Sequence, residues 1–214
     1  MFALFDPDDD FVVRRGRLPH WFQPGITYFI TFRTTDSIPA DLLRSWHLRR
    51  DDWFRRRDID PRSSDWRAAF DERPELEREY HLVFSRPFME YLDRGRGACP
   101  LSDTRLARLV AESLHHGDGT RYWLGAFVAM PNHVHVLVCL IGRTELAAQC
   151  RSWKKFSATA INRALGSRGR FWQSESFDHA VRSPEQFAYL QQYIAQNPKK
   201  ARLAPGSYLH YQPR

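Results

Sequence analysis

The sequence predicts an α+β domain in which helices pack against an antiparallel β-sheet. Residues 26–33 alternate β-branched and aromatic residues at period two, which is typical of a β-strand. Residues 122–130 and 133–140 are strongly apolar runs, which favour two buried strands. Other segments repeat apolar residues at three- and four-residue spacing, which is typical of amphipathic helices. Strands and helical segments in this order favour a sheet with helices on its faces.

The first half of the chain predicts a lead-in, one strand and a long charged insertion. Residues 1–24 combine an acidic patch with arginines and prolines, so we expect them to be poorly ordered. Residues 26–33 form the first strand, and residues 40–115 form a helical insertion after it. The arginines at the start of this insertion form either a solvated face or a ridge that contacts DNA. The helices expected within it cover residues 41–57, 75–94 and 104–115.

The second half predicts a hairpin and two further helices. Pro131-Asn132 leaves a two-residue turn within residues 122–140, so the two strands on either side pair antiparallel. A helix follows with Thr144 as its expected N-cap, and residues 177–182 form a short last strand. Ser183-Pro-Glu-Gln186 then begins the last helix, with Pro at the first helical position and Gln three residues after the cap. The expected boundaries are one domain over residues 25–205 and a C-terminal tail over 206–214.

The composition favours a nucleic-acid partner. The chain of 214 residues has a net charge of +7 and a pI of about 9.6. Its 32 basic residues comprise 28 Arg and 4 Lys, and 14% of its residues are aromatic. Arginine forks hold phosphates and aromatic rings stack on unpaired bases, although arginines can also merely decorate a solvated surface. No apolar stretch is long enough to span a membrane, no signal peptide is recognisable, and three unpaired cysteines indicate a reducing, cytoplasmic setting.

One strand carries a candidate metal site. His133 and His135 lie two residues apart, so in a strand their side chains point to the same face. Two imidazoles on a rigid strand are suited to bind a divalent metal; the alternative is a hydrogen-bonded pair with a structural role. A third ligand has to come from another segment. The candidates near the end of the chain are Asp178, His179, Gln196 and Asn197.

Asn197 is the preferred third ligand because it lies one helical turn after Tyr193. If that face of the helix covers the histidine strand, the metal and the phenol are neighbours. A phenol has a pKa of about 10 and is a poor nucleophile unless a cation or a base helps it. A structural aromatic is the alternative for Tyr193, and Tyr189 is the competing nucleophile one turn earlier.

Several basic and aromatic residues are candidates for DNA contact. Arg151, Lys154 and Lys155 gather on one helix surface, which either binds phosphates or is merely solvated. Trp172 and Gln173 either pack at a strand entry or offer a platform on which bases stack. The residues assigned to DNA binding are Arg151, Lys154, Lys155, Arg168, Arg170, Trp172, Gln173, Lys199 and Lys200.

These motifs together resemble a known family. Met130-Pro-Asn-His-Val-His-Val-Leu-Val138 is followed by Phe171-Trp-Gln173, Phe177-Asp-His-Ala-Val-Arg182 and Tyr193-Ile-Ala-Gln-Asn-Pro198. The combination resembles the single-tyrosine transposases of the HUH (histidine, hydrophobe, histidine) class and is most similar to the REP-associated tyrosine transposases. The resemblance runs from about Gly25 to Leu203, and the arginine-rich insertion departs furthest from it.

The resemblance implies a ferredoxin-like or RRM-like sheet with the HUH motif on a central strand. It implies that His133, His135 and Asn197 bind Mg²⁺ or Mn²⁺ and that Tyr193 is the nucleophile. The implied activity is DNA transposition and recombination: cleavage of single-stranded DNA at a REP-like hairpin through a 5′-phosphotyrosine, with a free 3′-hydroxyl, and strand transfer. The enzyme would act in the cytoplasm on the nucleoid, as a monomer or a homodimer.

Two other functions could use the same fold. A non-catalytic protein would keep the sheet and the basic surface and only bind hairpins in DNA or RNA, which the retention of all four site residues argues against. A metal-dependent hydrolase would combine the two histidines with a carboxylate and a bound water. The sequence shows no strongly placed acidic ligand for it.

Overall fold

The chain forms an open antiparallel sheet with helices on both faces, which confirms the predicted α+β class. The computed structural model describes residues 2–6, 9, 11–14, 20–63, 69–70 and 73–213. The elements of this part of the chain are β1 (Val12–Arg14), β2 (His20–Phe22), β3 (Thr27–Arg33), α1 (Ala40–Arg55), α2 (Pro74–Tyr80), a π-helical turn (His81–Ser85), α3 (Arg86–Asp93), a 3₁₀ turn (Pro100–Ser102), α4 (Thr104–His115), β4 (Tyr122–Met130), β5 (His133–Leu140), α5 (Leu146–Leu165), β6 (Phe177–Ala180), α6 (Pro184–Lys200) and β7 (Leu209–Tyr211).

The histidine strand β5 lies at the centre of a five-stranded sheet. The strand order is β6-β3-β5-β4-β7 with every neighbouring pair antiparallel, while β1 and β2 pair separately. The predicted hairpin joins β4 and β5, with one register shift between Leu124 and Ala126. Gly125 occupies this bulge, where a Cβ atom would come within 2.9 Å of the Leu137 carbonyl oxygen. All eight residues of β5 are buried, so its side chains are held firmly on both faces.

The two faces of the sheet bury different apolar cores. Ile30 and Val136 belong to the core beneath α4 and α5. Leu137 belongs to the opposite core, together with Ile194 of α6. Because side chains alternate along a strand, His133 and His135 share the face of Leu137 and lie beneath α6. The last helix thus covers the histidine strand, which is the condition under which His133, His135 and Tyr193 become neighbours.

The helical insertion has an apolar cluster of its own beside the sheet. Trp53 and Phe54 of α1 pack with Phe70, Tyr80 and Phe84. The helix predicted over residues 75–94 is present, with the π-helical turn in its middle. Such turns change the direction in which the following side chains point and often occur at functional sites. The residue that ends α3 is Asp93, which faces the sheet.

Three details differ from the sequence predictions. Residues 209–211, expected in a tail, form β7 on the edge of β4. Phe5, within the expected disordered lead-in, is buried and its N–H donates to the Val181 carbonyl at 2.8 Å; other parts of that segment lie outside the described residues. The helix expected after Thr144 begins at Leu146 with Glu145 as N-cap. The Ser183 cap of α6 is confirmed, since its side chain accepts from the Gln186 N–H.

No helix in the described part of the chain is long and apolar enough to cross a membrane. Cys99, Cys139 and Cys150 are free thiols.

Candidate metal and tyrosine site

The two histidines of β5 converge on one point. Both side chains are fully buried, and their rings meet edge to face with centroids 4.6 Å apart. The Nε2 atoms of His133 and His135 lie 3.0 Å apart. Two imidazole nitrogens this close can bind one metal ion or share one proton.

The opposite nitrogens hold the rings in this orientation. Asn132 Nδ2 donates to the Arg96 carbonyl at 2.7 Å, which leaves Asn132 Oδ1 to accept from His133 Nδ1 at 2.7 Å. His133 Nδ1 therefore carries the ring proton, and Nε2 keeps its lone pair for a metal. Nδ1 of His135 lies 2.7 Å from Thr31 Oγ1, a hydroxyl that can donate or accept.

Asp93 adds a carboxylate to the pair. Its Oδ1 lies 3.4 Å from His133 Nε2 and 3.8 Å from His135 Nε2. One ligand atom from each of the three residues lies within 4.8 Å of the others. Burial opposes the ionisation of Asp93, but the two histidines outweigh it and lower the pKa of the carboxyl. Burial also lowers the pKa of His133 to about 4, which Asp93 offsets only in part.

Sequence reasoning missed Asp93. It is one of 25 acidic residues, and its only distinguishing signal is its place just before the helix break at Gly95-Arg-Gly97. Its position at the site depends on how the insertion packs against the sheet. The hydrophobic pattern of α3 does not encode that packing.

Tyr193 lies against the same cluster. Its hydroxyl donates to Asp93 Oδ2 at 3.5 Å, and its ring packs edge-on against His135 with centroids 5.3 Å apart. Burial and then the Asp93 carboxylate raise the pKa of this phenol, which Asn197 offsets only in part. A phenol with a raised pKa stays protonated at pH 7, and in that form it is a poor nucleophile. The competing Tyr189 is 61% exposed.

Asn197 is fully buried one turn after Tyr193. Its amide lowers the pKa of Tyr193, so it lies near the phenol. Within the described residues, neither amide atom of Asn197 nor Oδ1 of Asp93 has a partner at full hydrogen-bond geometry. Buried polar atoms without partners cost about 1–3 kcal/mol each, and a bound cation would satisfy the oxygens. The donor set therefore fits a divalent metal on His133, His135 and Asp93, with Asn197 still a predicted ligand.

The other ligand candidates from the end of the chain are less suitable. Asp178 pairs in register with Ile30, so it shares the face of the opposite core. His179 Nε2 lies 2.8 Å from the Gln186 side-chain amide. Gln196 is exposed on α6.

The predicted DNA-binding cations are spread over two sides of the sheet. Arg151 and Lys155 are exposed on α5, on the face opposite the histidines, and Arg168 and Arg170 are exposed in the following turn. Lys154 Nζ donates to the carbonyls of Gln173 and Ser174 at 3.2 and 2.6 Å. Lys199 and Lys200 are exposed at the end of α6, and Lys200 Nζ lies 5.3 Å from the centre of the Tyr193 ring. Of these cations, Lys200 is the one that contacts the Tyr193 ring.

Trp172 packs in the core. It is 4% exposed, its ring lies edge-on to Phe32 at 4.9 Å, and its Nε1–H donates to Ser157 Oγ at 2.9 Å. No face of the ring is left for a base, so the packing alternative describes this residue. Gln173 donates through Nε2 to the Thr35 carbonyl at 2.6 Å and lines a cleft beside β3.

No protein-family model and no curated protein matches the sequence. Among solved structures, the chain is similar to a REP-associated tyrosine transposase bound to a REP hairpin. The TM-score is 0.45 and the identity 14%, and the match covers 87% of this chain and 74% of that chain.

Proposed function

We propose that this protein is a metal-dependent, HUH-type transposase that nicks single-stranded DNA and transfers the strand, with Tyr193 as nucleophile. The observation that carries the proposal is the contact between the Tyr193 hydroxyl and Asp93, a carboxylate of a buried cluster able to ligate a metal. The sequence motifs that resemble REP-associated tyrosine transposases include four of the site residues, which are His133, His135, Tyr193 and Asn197. The proposed substrate is accordingly a DNA hairpin with unpaired flanks.

The residues of the cluster divide the tasks of binding and orientation. His133 and His135 would hold Mg²⁺ or Mn²⁺ through Nε2, and Asp93 through Oδ1. Nitrogen ligands favour Mn²⁺, because Mg²⁺ prefers oxygen. The metal would supply positive charge that polarises a phosphoryl oxygen and offsets the charge of Asp93. Asp93 Oδ2 stays hydrogen-bonded to the phenol; its low pKa suits it to orient the Tyr193 oxygen rather than to remove its proton.

The proposed reaction exchanges one phosphodiester for another. The Tyr193 oxygen attacks phosphorus and loses its proton, the bond to the 3′-oxygen breaks, and that oxygen leaves as a protonated 3′-hydroxyl. The strand on the other side stays attached to the tyrosine through its 5′-phosphate. Because no water is consumed, a 3′-hydroxyl from another strand can reverse the step and complete the transfer.

The basic residues would hold the DNA around this centre. Lys199 and Lys200 lie at the end of the helix that carries the nucleophile, so we propose that they contact the strand being cut. The exposed cations of α5 and of the turn after it lie on the other side of the sheet. We propose that they contact the hairpin stem.

Covalent capture tests this function. The probe is a pool of 3′-labelled DNA hairpins with randomised stems and unpaired flanks, incubated with Mn²⁺ and separated on a denaturing protein gel. We expect label to migrate with the protein. Tyr193→Phe should lose the labelled band, while the matched variant Tyr189→Phe should keep it. Label that binds the native protein but never attaches covalently would indicate a non-catalytic hairpin-binding protein.

Asp93 also supports a second candidate function, because it supplies the acidic ligand that a metal-dependent hydrolase requires. In that mechanism water attacks the phosphate, and the cut strand is released. The same experiment separates the two: a hydrolase would give free labelled fragments with a 5′-phosphate or a 5′-hydroxyl. Its activity would also survive Tyr193→Phe.

A further inference from the structure

A cleft lies between the helical insertion and the sheet, next to the metal-ligating cluster. Its volume is about 130 Å³. Residues of β3 and β6 form its floor, and α1 and the segment 80–89 form its walls, with the loop 173–176 along one side. Neither the HUH motif nor the tyrosine helix lines it. The arginine-rich insertion, which contributes only Asp93 to the proposed reaction, therefore also lines a cleft of its own.

The floor of this cleft continues the face that carries the histidines. In the register of the sheet, Arg33 lies opposite His133, Thr31 opposite His135, and Phe177 opposite Thr31. Neighbouring strands are about 4.8 Å apart, so Phe177 is roughly 10 Å from the histidine strand. A strand whose phosphate lies at the metal can thus place a neighbouring nucleotide over the cleft.

The lining combines aromatic rings with two arginines, Arg33 and Arg50, and one carboxylate, Glu175. Trp46 of α1 and Phe88 of α3 line the cleft with ring centroids 4.8 Å apart. The Arg33 guanidinium lies 5.5 Å from the centre of the Phe88 ring and donates to the neutral Ser37 hydroxyl at 3.3 Å. Burial lowers the pKa of Arg33 only to about 10, so it stays charged at pH 7. Aromatic faces stack on bases, and arginine contacts phosphate or the rings themselves.

The size of the cleft selects a single ring system. In another protein a cavity of about 150 Å³ holds one benzene molecule. A volume of about 130 Å³ is therefore close to the size of one planar heterocycle. An unpaired base attached to an anionic backbone fits the size of the cleft, its aromatic rings and its arginines.

Building on the proposed function, we propose that this cleft binds one unpaired nucleobase of the DNA strand that Tyr193 cuts, near the reacting phosphate. Bound there, the base fixes which phosphate reaches the tyrosine. The insertion thereby helps to select the cleavage position.

Abasic substitution tests this inference. Hairpins are first selected for binding from the randomised pool in Mn²⁺, with Tyr193→Phe protein so that no strand is cut. An abasic spacer is then placed at each unpaired position in turn, and affinity is measured by fluorescence anisotropy. One position close to the cleavage site should lose affinity about tenfold, the loss expected for one stacked base.

A filled cleft should remove that dependence. Leu43 lines the cleft from α1, and Leu48 on the same helix is 68% exposed. With Leu43→Trp the abasic spacer should change affinity less than twofold, whereas with the matched Leu48→Trp the tenfold loss should persist. Should Leu43→Trp fail to fold, 5-iodo-deoxyuridine at the sensitive position should crosslink to Trp46 or Phe88 in the unfilled Tyr193→Phe protein.

Two results would overturn the inference: equal tolerance of an abasic spacer at every unpaired position, or the same loss with the cleft filled. Binding is measured here without cleavage, so either result can occur while covalent capture succeeds. Recovery of no hairpin from the pool would remove both this inference and the proposed function.

Discussion

Replacing Asp93 by Asn tests whether the insertion supplies a metal ligand. The substitution keeps the shape of a side chain that is 16% exposed and removes its charge. Two unit charges 4 Å apart interact by about 4 kcal/mol at an effective dielectric constant of 20, and a divalent ion doubles this. The cost of removing water from the ion and the carboxylate cancels more than half of this attraction. The expected net loss of about 3 kcal/mol is roughly a 100-fold weaker affinity for Mn²⁺.

Isothermal titration calorimetry with Mn²⁺ measures this change directly. Glu90→Gln is the matched control, because Glu90 lies on the same helix and its partner is the exposed Arg86. The control should bind Mn²⁺ like the wild type. If Asp93→Asn also binds Mn²⁺ with unchanged affinity, Asp93 is not a ligand, and the metal site consists of the histidines with residues of α6.

Three further predictions concern the surroundings of the site. Asn132→Ala removes the acceptor of Nδ1 of His133, a proposed metal ligand, so Mn²⁺ affinity in the same calorimetric titration should fall about 10- to 100-fold. Phe54→Ala should destabilise the protein by about 3–5 kcal/mol in urea denaturation and also weaken Mn²⁺ binding, because Phe54 belongs to the core of the insertion that carries Asp93. His81 and Arg182 outweigh burial and lower the pKa of Glu77 to about 2; its ionised form therefore stabilises the fold above about pH 4.5, and the loss of melting temperature in Glu77→Gln should shrink as the pH falls towards 2.

The strand and helix pattern could be predicted from the sequence where local rules suffice. Apolar runs on either side of a two-residue turn defined β4 and β5, and the Ser183 cap defined the start of α6. β7 escaped prediction because three residues, Leu209–Tyr211, are too few for a period to show. Phe5 escaped for a related reason: a chain end that docks onto a sheet has no pattern of its own.

The part of the site that depends on local geometry could also be predicted from the sequence. His133 and His135 share a face by strand geometry alone, and Tyr193 joins them because α6 presents one stripe to that face. Asp93 reaches the site because α3 packs against β5, and these segments lie forty residues apart in the sequence. No local pattern encodes such a contact. Trp172 shows the converse, since burial against Phe32 overrides the expectation that a tryptophan beside basic residues binds DNA.

Peptide mapping of the covalent product tests the central claim most directly. The protein is incubated with selected hairpins and Mn²⁺, digested with nuclease and trypsin, and analysed by tandem mass spectrometry. We predict a nucleotide attached to Tyr193 in the peptide that begins at Ser183, and its loss when EDTA replaces Mn²⁺. Cleaved DNA accompanied by an unmodified Tyr193, or a nucleotide on Tyr189, would contradict the proposed mechanism.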